Sequence, residues 1–221
     1  ITGGTFKSPT ESGEYTIRLA GFGYECNISG EDTKISGPTN LVFISGEESD
    51  IELNVSGGNY SSSSNHISKT SGSESKISIT GGKFSYISPC LAKTNLSDEY
   101  VISTNNDETY KFQVAEGDTE AELTKSNYQY NCTLDAAVAS ANSANYSDLK
   151  IKMCEDVERG TEIKIDNSYS KKIILDMNSK SLTNTATGYA VSTHTAADII
   201  DGSATVIFRG ERVNTPTYKS V

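Results

Sequence analysis

Tryptophan is absent from this 221-residue chain, and methionine, histidine and proline are scarce, with two, two and four copies. Stacking on a flat ligand therefore falls to the 12 tyrosines and six phenylalanines. No apolar run approaches the length of a membrane-crossing helix, so no membrane span is expected. Basic residues number 19 against 29 acidic ones, a net charge of −10. That balance offers no basic face for phosphates and disfavours nucleic acid as a partner. The four cysteines, Cys26, Cys90, Cys132 and Cys154, show no C-x-x-C spacing, so a zinc site is not expected. Three disulfide pairings stay open, one of which would join Cys132 to Cys154, and four buried thiols are an equal alternative. EF-hand, P-loop, nucleophile-elbow and dinucleotide fingerprints are all missing, and Gly21-x-Gly23 is too short to be one. No organic cofactor is implied; calcium is the only candidate cation. Sequons at Asn27, Asn54, Asn95 and Asn131 carry little weight in a chain this rich in Asn, Ser and Thr. Residue 1 falls inside a repeat, so the chain is expected to be an excised piece whose missing leader says nothing of its parent.

What is present is a repeat. Ile79-Thr80-Gly81-Gly82-Lys83-Phe84 returns as Ile1-Thr2-Gly3-Gly4-Thr5-Phe6 and, more loosely, as Val55-Ser56-Gly57-Gly58-Asn59-Tyr60. Ile28-Ser29-Gly30-Glu31 keeps only the first three positions. The leading aliphatic residues stand at 1, 28, 55 and 79, a step close to that of a solenoid rung. Alternation ahead of the motif, as in Ile51-Glu52-Leu53-Asn54-Val55, predicts a strand with one face inward. The glycine pair then turns the chain where φ is positive. Phe6, Tyr60 and Phe84 are expected to fill the interior after that corner. The absence of apolar spacing at 3.6 residues argues against a helical repeat. The fold class is therefore all-β, a parallel β-helix with one short capping helix and a terminal hairpin.

Along the chain, residues 1–116 read as rungs with a closing hairpin. Leu41-Val42-Phe43-Ile44 is a core strand, and Ser61 to Ser64 and Ser68 to Ser75 are loops, with His66 exposed among them. Ser88-Pro89-Cys90-Leu91-Ala92 is a turn or short helix. Tyr100 to Ser103 and Thr109 to Val114 alternate about a polar turn at 105–108 and predict a hairpin that covers the last rung. Residues 117–133 are polar and read as a linker. Residues 134–221 read as a second β-helical unit. It opens on a helix, Leu134 to Ala141, with apolar residues at 134, 137, 138 and 141 and Thr133 or Asp135 as its cap. Strands are expected at Leu149–Met153, Glu162–Ile165, Ile173–Met177 and Thr205–Phe208, with a corner at Gly160. Exposed core edges at the broken ends predict end-to-end stacking, within the chain or between chains.

Ile79 to Val114 resembles the closing segment of right-handed parallel β-helix repeats in secreted and cell-surface proteins of gut Firmicutes and related bacteria. In these an "I-S-G-G-x-F-S" rung leads into "Y-x-V-x-x-N-x-D-G-T-Y-x-V". Glu108 stands where that family has glycine. Lys171 to Thr183, "K-K-I-I-L-D-M-N-S-K-S-L-T", is similar to an opening rung of the same family, with Ser179 replacing glycine. The resemblance implies a right-handed coil, an extracellular or cell-surface location, and a helix that plugs the open end. It also implies bacterial adhesion, display or glycan contact as the role, with a host glycan, a polysaccharide or a host-surface protein as partner.

Candidate chemistry is sparse. Tyr24, Tyr86, Tyr100 and Tyr110 are the candidate sugar-stacking residues, whereas Tyr60 aligns with Phe6 and Phe84 and is expected in the core. Glu47, Glu48, Asp50 and Glu52 form the candidate cation cluster. Several β-helix families are polysaccharide lyases or glycoside hydrolases, and these need a carboxylate cluster with a base, or two carboxylates across a groove. That acidic cluster with Arg18 as its base, or Asp176, Asp198 and Asp201 with Arg209 and Arg212, would have to supply them, at no diagnostic spacing. A non-catalytic module is the reading these residues favour, a β-helix enzyme the first alternative and a purely structural stalk the second.

Overall fold

The computed structural model describes residues 1–8, 15–46, 50–143, 149–166, 173–186, 190–193, 197–201, 204–205 and 217–219. The chain is a β-solenoid of stacked parallel coils, and it divides into two compact units, Ile1–Gly117 and Asp118–Val221.

In the first unit the strands are β1 (Thr5–Lys7), β2 (Ile17–Ala20), β3 (Glu25–Ile28), β4 (Lys34–Gly37), β5 (Val42–Ser45), β6 (Glu52–Ser62), β7 (Ile67–Lys69) and β8 (Lys76–Phe84). They stack in parallel on three faces. One carries β3, the first half of β6 and the first half of β8; the next carries β1, β4 and the later halves of β6 and β8; the third carries β2, β5 and β7. Glu25, Glu52 and Lys76 share a ladder, so the rungs step by 27 and 24 residues as the motif predicts. Inward ladders form the core: Ile28, Val55 and Ile79 on one face, Ile17, Val42 and Ile67 on another. Phe6, Ile35, Tyr60 and Phe84 make a third, with Tyr60 and Phe84 wholly buried as expected.

The two glycines of the motif do different work. The second has positive φ, +102° at Gly4, +94° at Gly58 and +107° at Gly82, and turns the corner. The first makes room for the coil in front. A Cβ on Gly30 would lie 1.9 Å from the Thr2 carbonyl oxygen, one on Gly57 2.5 Å from that of Ser29, and one on Gly81 2.3 Å from that of Ser56. Glu31, in the degenerate copy, has no positive φ; there a turn closed by Thr33 N–H on the Gly30 carbonyl separates β3 from β4, while the copies at Val55 and Ile79 run through as the single bulged strands β6 and β8.

Past β8, a 3₁₀ turn at Pro89–Leu91 leads to the hairpin of β9 (Tyr100–Thr104) and β10 (Phe112–Glu116). β10 pairs antiparallel with β8 and sets Phe112 beside Phe84, so the hairpin closes the last rung as predicted. Its turn needs no glycine at Glu108, because Asp107 Oδ1 accepts N–H bonds from Thr109 and Tyr110, at 2.7 and 2.9 Å.

His66 departs from expectation. It is fully buried, not exposed in a loop, with Nδ1 2.7 Å from Ser88 Oγ and Nε2 3.0 Å from Ser85 Oγ. Its ring meets Phe84 edge-on and Tyr86 at 4.6 Å. The hydroxyls that a buried imidazole requires come from Ser85 and Ser88, 19 and 22 residues further on, and not from the serines beside it in sequence.

The second unit begins with a further correction. Within 117–133, where the polar composition reads as a linker, β11 (Ala121–Lys125) and β12 (Tyr128–Cys132) form an antiparallel hairpin. Ala121, Leu123 and Lys125 alternate inward, and the buried Lys125 hides the pattern from a hydrophobicity reading. Helix α1 (Leu134–Ser143) follows, capped by Thr133, whose Oγ1 accepts from Ala136 N–H at 3.3 Å, and by Glu120, whose carboxylate accepts from Leu134 N–H at 2.7 Å. Leu134, Ala137, Val138 and Ala141 are buried as predicted, and the helix packs on β11, β12, β13 (Leu149–Met153) and β15 (Ile163–Ile165).

Two coils follow. β13, β14 (Val157–Arg159) and β15 lie parallel to β16 (Ile173–Asp176), β17 (Ser181–Asn184) and β18 (Val191–Thr193), and β16 pairs onward with β19 (Ala197–Asp201). The short β20 (Ala204–Thr205) returns on β19, and β21 (Thr217–Lys219) lies antiparallel to β17. Gly160 lies at the bend between β14 and β15. Of the expected strand Thr205–Phe208, residues 206–208 lie outside the described residues. Asn178 and Ser179 both adopt left-handed φ, 48° and 61°, in a turn closed by Lys180 N–H on the Met177 carbonyl. Ser179 thus takes the conformation that glycine favours.

Candidate functional site

The candidate residues named above fall in separate places. Tyr24 precedes β3, is 36 % exposed, and donates its hydroxyl to the Ala20 carbonyl at 3.3 Å. Tyr86 is half-buried against His66. Tyr110 is half-buried beside the hairpin turn; burial, then the nearby Asp107 carboxylate, raises its hydroxyl pKa. The N–H groups of Tyr110 and Thr109 hold Asp107 below the usual carboxylate range. Among the described strand pairings these tyrosines share no ladder and make no stripe; Tyr100 lines a cleft between β8 and β10.

Glu47 and Glu48 lie outside the described residues. Asp50 accepts the Gly23 N–H, and Glu52 pairs with Lys76 at 3.5 Å. No group of three or more His, Cys, Asp or Glu side chains able to hold a metal occurs among the described residues. Arg18 sits on β2, on a different face from Glu52, and donates Nε–H to Ser45 Oγ at 2.9 Å. Asp176 is buried, paired with Lys150 at 2.7 Å, and accepts the Asn178 N–H at 3.0 Å. Asp176 thus holds the turn that follows its rung and is not free to act as a catalytic carboxylate. Asp198 and Asp201 belong to β19, of whose side chains nothing is described, and Arg209 and Arg212 lie outside the described residues. All four cysteines are free thiols: Cys90 and Cys132 are buried, Cys26 half-buried and Cys154 exposed. Burial pushes the Cys90 thiol up to about 11, opposite to the shift that would activate a nucleophile.

One concave feature of the first unit lies at the glycine corner. β10 keeps register with β8 only at Phe112 and Gln113, then diverges from it. A cleft of about 510 Å³ opens between the two strands. It is lined by the backbone of Gly57, Gly58, Gly81 and Gly82, bare of side chains because the corner and the coil in front demand it. Its rim carries Glu31, Asn59, Lys83, Tyr100, Gln113 and Glu116. The rungs set three of these: Asn59, Lys83 and Gln113 follow one another on a single outward ladder. Asn59 is held by Nδ2–H bonds to the Glu31 and Thr33 carbonyls. Tyr100 and Glu116 face each other as a pair across β9 and β10.

This arrangement presents main-chain polar groups, two side-chain amides, an ammonium, two carboxylates and one aromatic ring to a single concavity. Asn59 and Lys83 stand directly after the second glycine of the motif, so the repeat itself carried the signal for them. Gln113 and Glu116 reach the cleft only because the hairpin folds back onto β8, in a register that its own alternation does not specify. Compared with known proteins, the chain matches no family model, no curated sequence and no solved structure.

Proposed function

We propose that this chain is a non-catalytic module of a secreted or surface-anchored bacterial protein that contacts glycans, through the cleft between β8 and β10. The single observation that carries the reading is the lining of that cleft: a half-buried tyrosine with the fixed Asn59 amide and the Gln113 amide, over a floor of glycine backbone. A sugar ring offers an apolar face to an aromatic plane and a rim of hydroxyls to amides, carboxylates and main-chain groups. The resemblance of Ile79 to Val114 to rungs of secreted β-helix proteins supports the location. A hydrolase needs one carboxyl group shielded enough to keep its proton at neutral pH. Glu31 and Glu116 are both exposed, which favours binding over catalysis.

The test is titration of the full chain against a panel of bacterial, plant and host polysaccharides, with product analysis in parallel. Saturable binding that weakens about tenfold in Tyr100→Ala is the expected outcome. Circular dichroism checks that the variant keeps its fold. New reducing or unsaturated ends would turn the cleft into an enzyme site, and binding unaffected by Tyr100→Ala would remove it from the cleft.

A further inference from the structure

One outward face of the first unit runs against the charge of the chain. Its strands are β1, β4, residues 59–62 of β6 and residues 83–84 of β8. They hold Lys7, Lys34 and Lys83 and no acidic residue, in a chain of net charge −10. Stacking sets these side chains in rows. Thr5, Lys34, Asn59, Lys83 and Gln113 follow one another on one outward ladder, and Lys7, Ser36 and Ser61 on a second beside it. Lys34 and Lys83 are exposed, and among the described residues neither is in an ion pair. Three carboxylates stand at the margins. Glu31 and Glu116 line the glycine corner. Asp107 is engaged by the N–H groups of Tyr110 and Thr109, and the charges of Lys83 and Lys34 act on it more weakly.

Resting on the glycan reading above and narrowing it, we infer that this face is a track for an acidic polysaccharide lying along the solenoid axis. One sugar ring meets each strand, and acid groups two rings apart meet Lys34 and Lys83. The charge selects an anion, because the face offers ammonium groups where the rest of the chain is acidic. The spacing selects the polymer. Neighbouring strands lie about 4.8 Å apart, so the two lysines recur at about twice that step. A pyranose in an extended 1,4-linked chain advances by close to one strand spacing, whereas an extended peptide advances only about 3.3 Å per residue. Between and beyond the lysines, Asn59 and Gln113 offer amides to ring hydroxyls. The cleft beside Lys83 and a second concavity of about 310 Å³ beside Lys7, Ser36 and Ser61 lie at two places on this face. A coil stacked ahead of the first rung would lengthen the track and leave it open.

The experiment titrates the full chain with polygalacturonate and unsulfated chondroitin, each beside its carboxyl-reduced form, and with sulfated chondroitin, neutral glycans and poly(U). At least one acidic glycan is expected to bind saturably, more weakly as salt rises, and about tenfold or more above its uncharged counterpart. The sulfated and unsulfated arms tell which acid group is read. Lys34→Gln and Lys83→Gln are each expected to weaken binding about threefold. Lys76→Gln, on the neighbouring face, makes the same charge change and is expected to leave binding unaltered. Lys34 is decisive, because it stands on the ladder but outside the cleft. Thermal melts check that the variants keep their fold. Tyr100-dependent binding that is as tight for uncharged glycans, or indifferent to Lys34→Gln, would overturn the track and leave the cleft reading standing. Equal binding of poly(U) would overturn it too, since charge alone would then suffice. No binding to any glycan would overturn both.

Discussion

The rings of Tyr60 and Phe84 stack one above the other, centroids 4.9 Å apart and planes within 9°. They occupy the same position of successive rungs, and the rung spacing brings them into van der Waals contact. The Tyr60 hydroxyl turns back to donate to the Gly57 carbonyl at 3.0 Å. One side chain thus packs the core and ties down the corner that precedes it.

Tyr60 separates those two contributions. Tyr60→Ala is expected to cost about 3–5 kcal/mol, because it opens a cavity beneath Phe84. Tyr60→Phe keeps the stack and removes only the bond to Gly57, at about 1 kcal/mol. Urea unfolding followed by circular dichroism measures both. Equal losses in the two variants would show that the bond, and not the stack, dominates.

The first glycine of each motif yields a second prediction. Gly81→Ala sets a methyl group against the Ser56 carbonyl, and the rung spacing has to give; a loss of about 2–4 kcal/mol is expected. Gly160→Ala is the control. No atom lies within 4 Å of a Cβ there, and its φ is not left-handed, so the variant is expected to be unchanged or up to about 1 kcal/mol more stable. Thermal melts of the two variants side by side decide the matter.

Lys125 makes stability depend on pH. It is 4 % exposed, and its amine lies over the Tyr130 ring at 5.7 Å. Burial lowers its pKa to about 8, against the nearby Cys132, which acts to raise it. The unfolded chain therefore holds a proton on this amine up to about pH 10.4, while the folded chain releases it near 8. Lys125's contribution to stability is fully present above the unfolded value and is lost as pH falls through the folded one, a swing of about 3 kcal/mol. Burial also raises the Cys90 and Cys132 thiols, which pull the wild-type curve the other way in alkali. The clean measurement is the difference between Lys125→Met and wild type. The variant is expected to be the more stable at pH 7, with the advantage shrinking between pH 8 and 10. A constant difference across that range would show that the amine is not desolvated.

The repeat motif was legible because its physics is local. Two glycines, an aliphatic residue before them and an aromatic residue after them each answer to a backbone or packing demand that recurs every rung. The capping helix and the closing hairpin were legible for the same reason, since their periodicities lie within a few residues. The β11–β12 hairpin was not, because Lys125 occupies an inward position and breaks the apolar alternation. His66 was not, because the hydroxyls of Ser85 and Ser88 that allow its burial come from the following turn of the coil.

The sequence by itself determined the solenoid, its step and its inward ladders, because strand alternation and the glycine corner act within one rung. It also settled the acidic balance that disfavours nucleic acid. The tertiary structure alone decided which residues share a cleft. Asn59 and Lys83 are 24 positions apart along the chain yet adjacent on a ladder, and Tyr100, Gln113 and Glu116 join them only when the hairpin folds back onto β8. Stacking turns sequence separation into neighbourhood, and no local pattern of residues records which neighbours that stacking will bring.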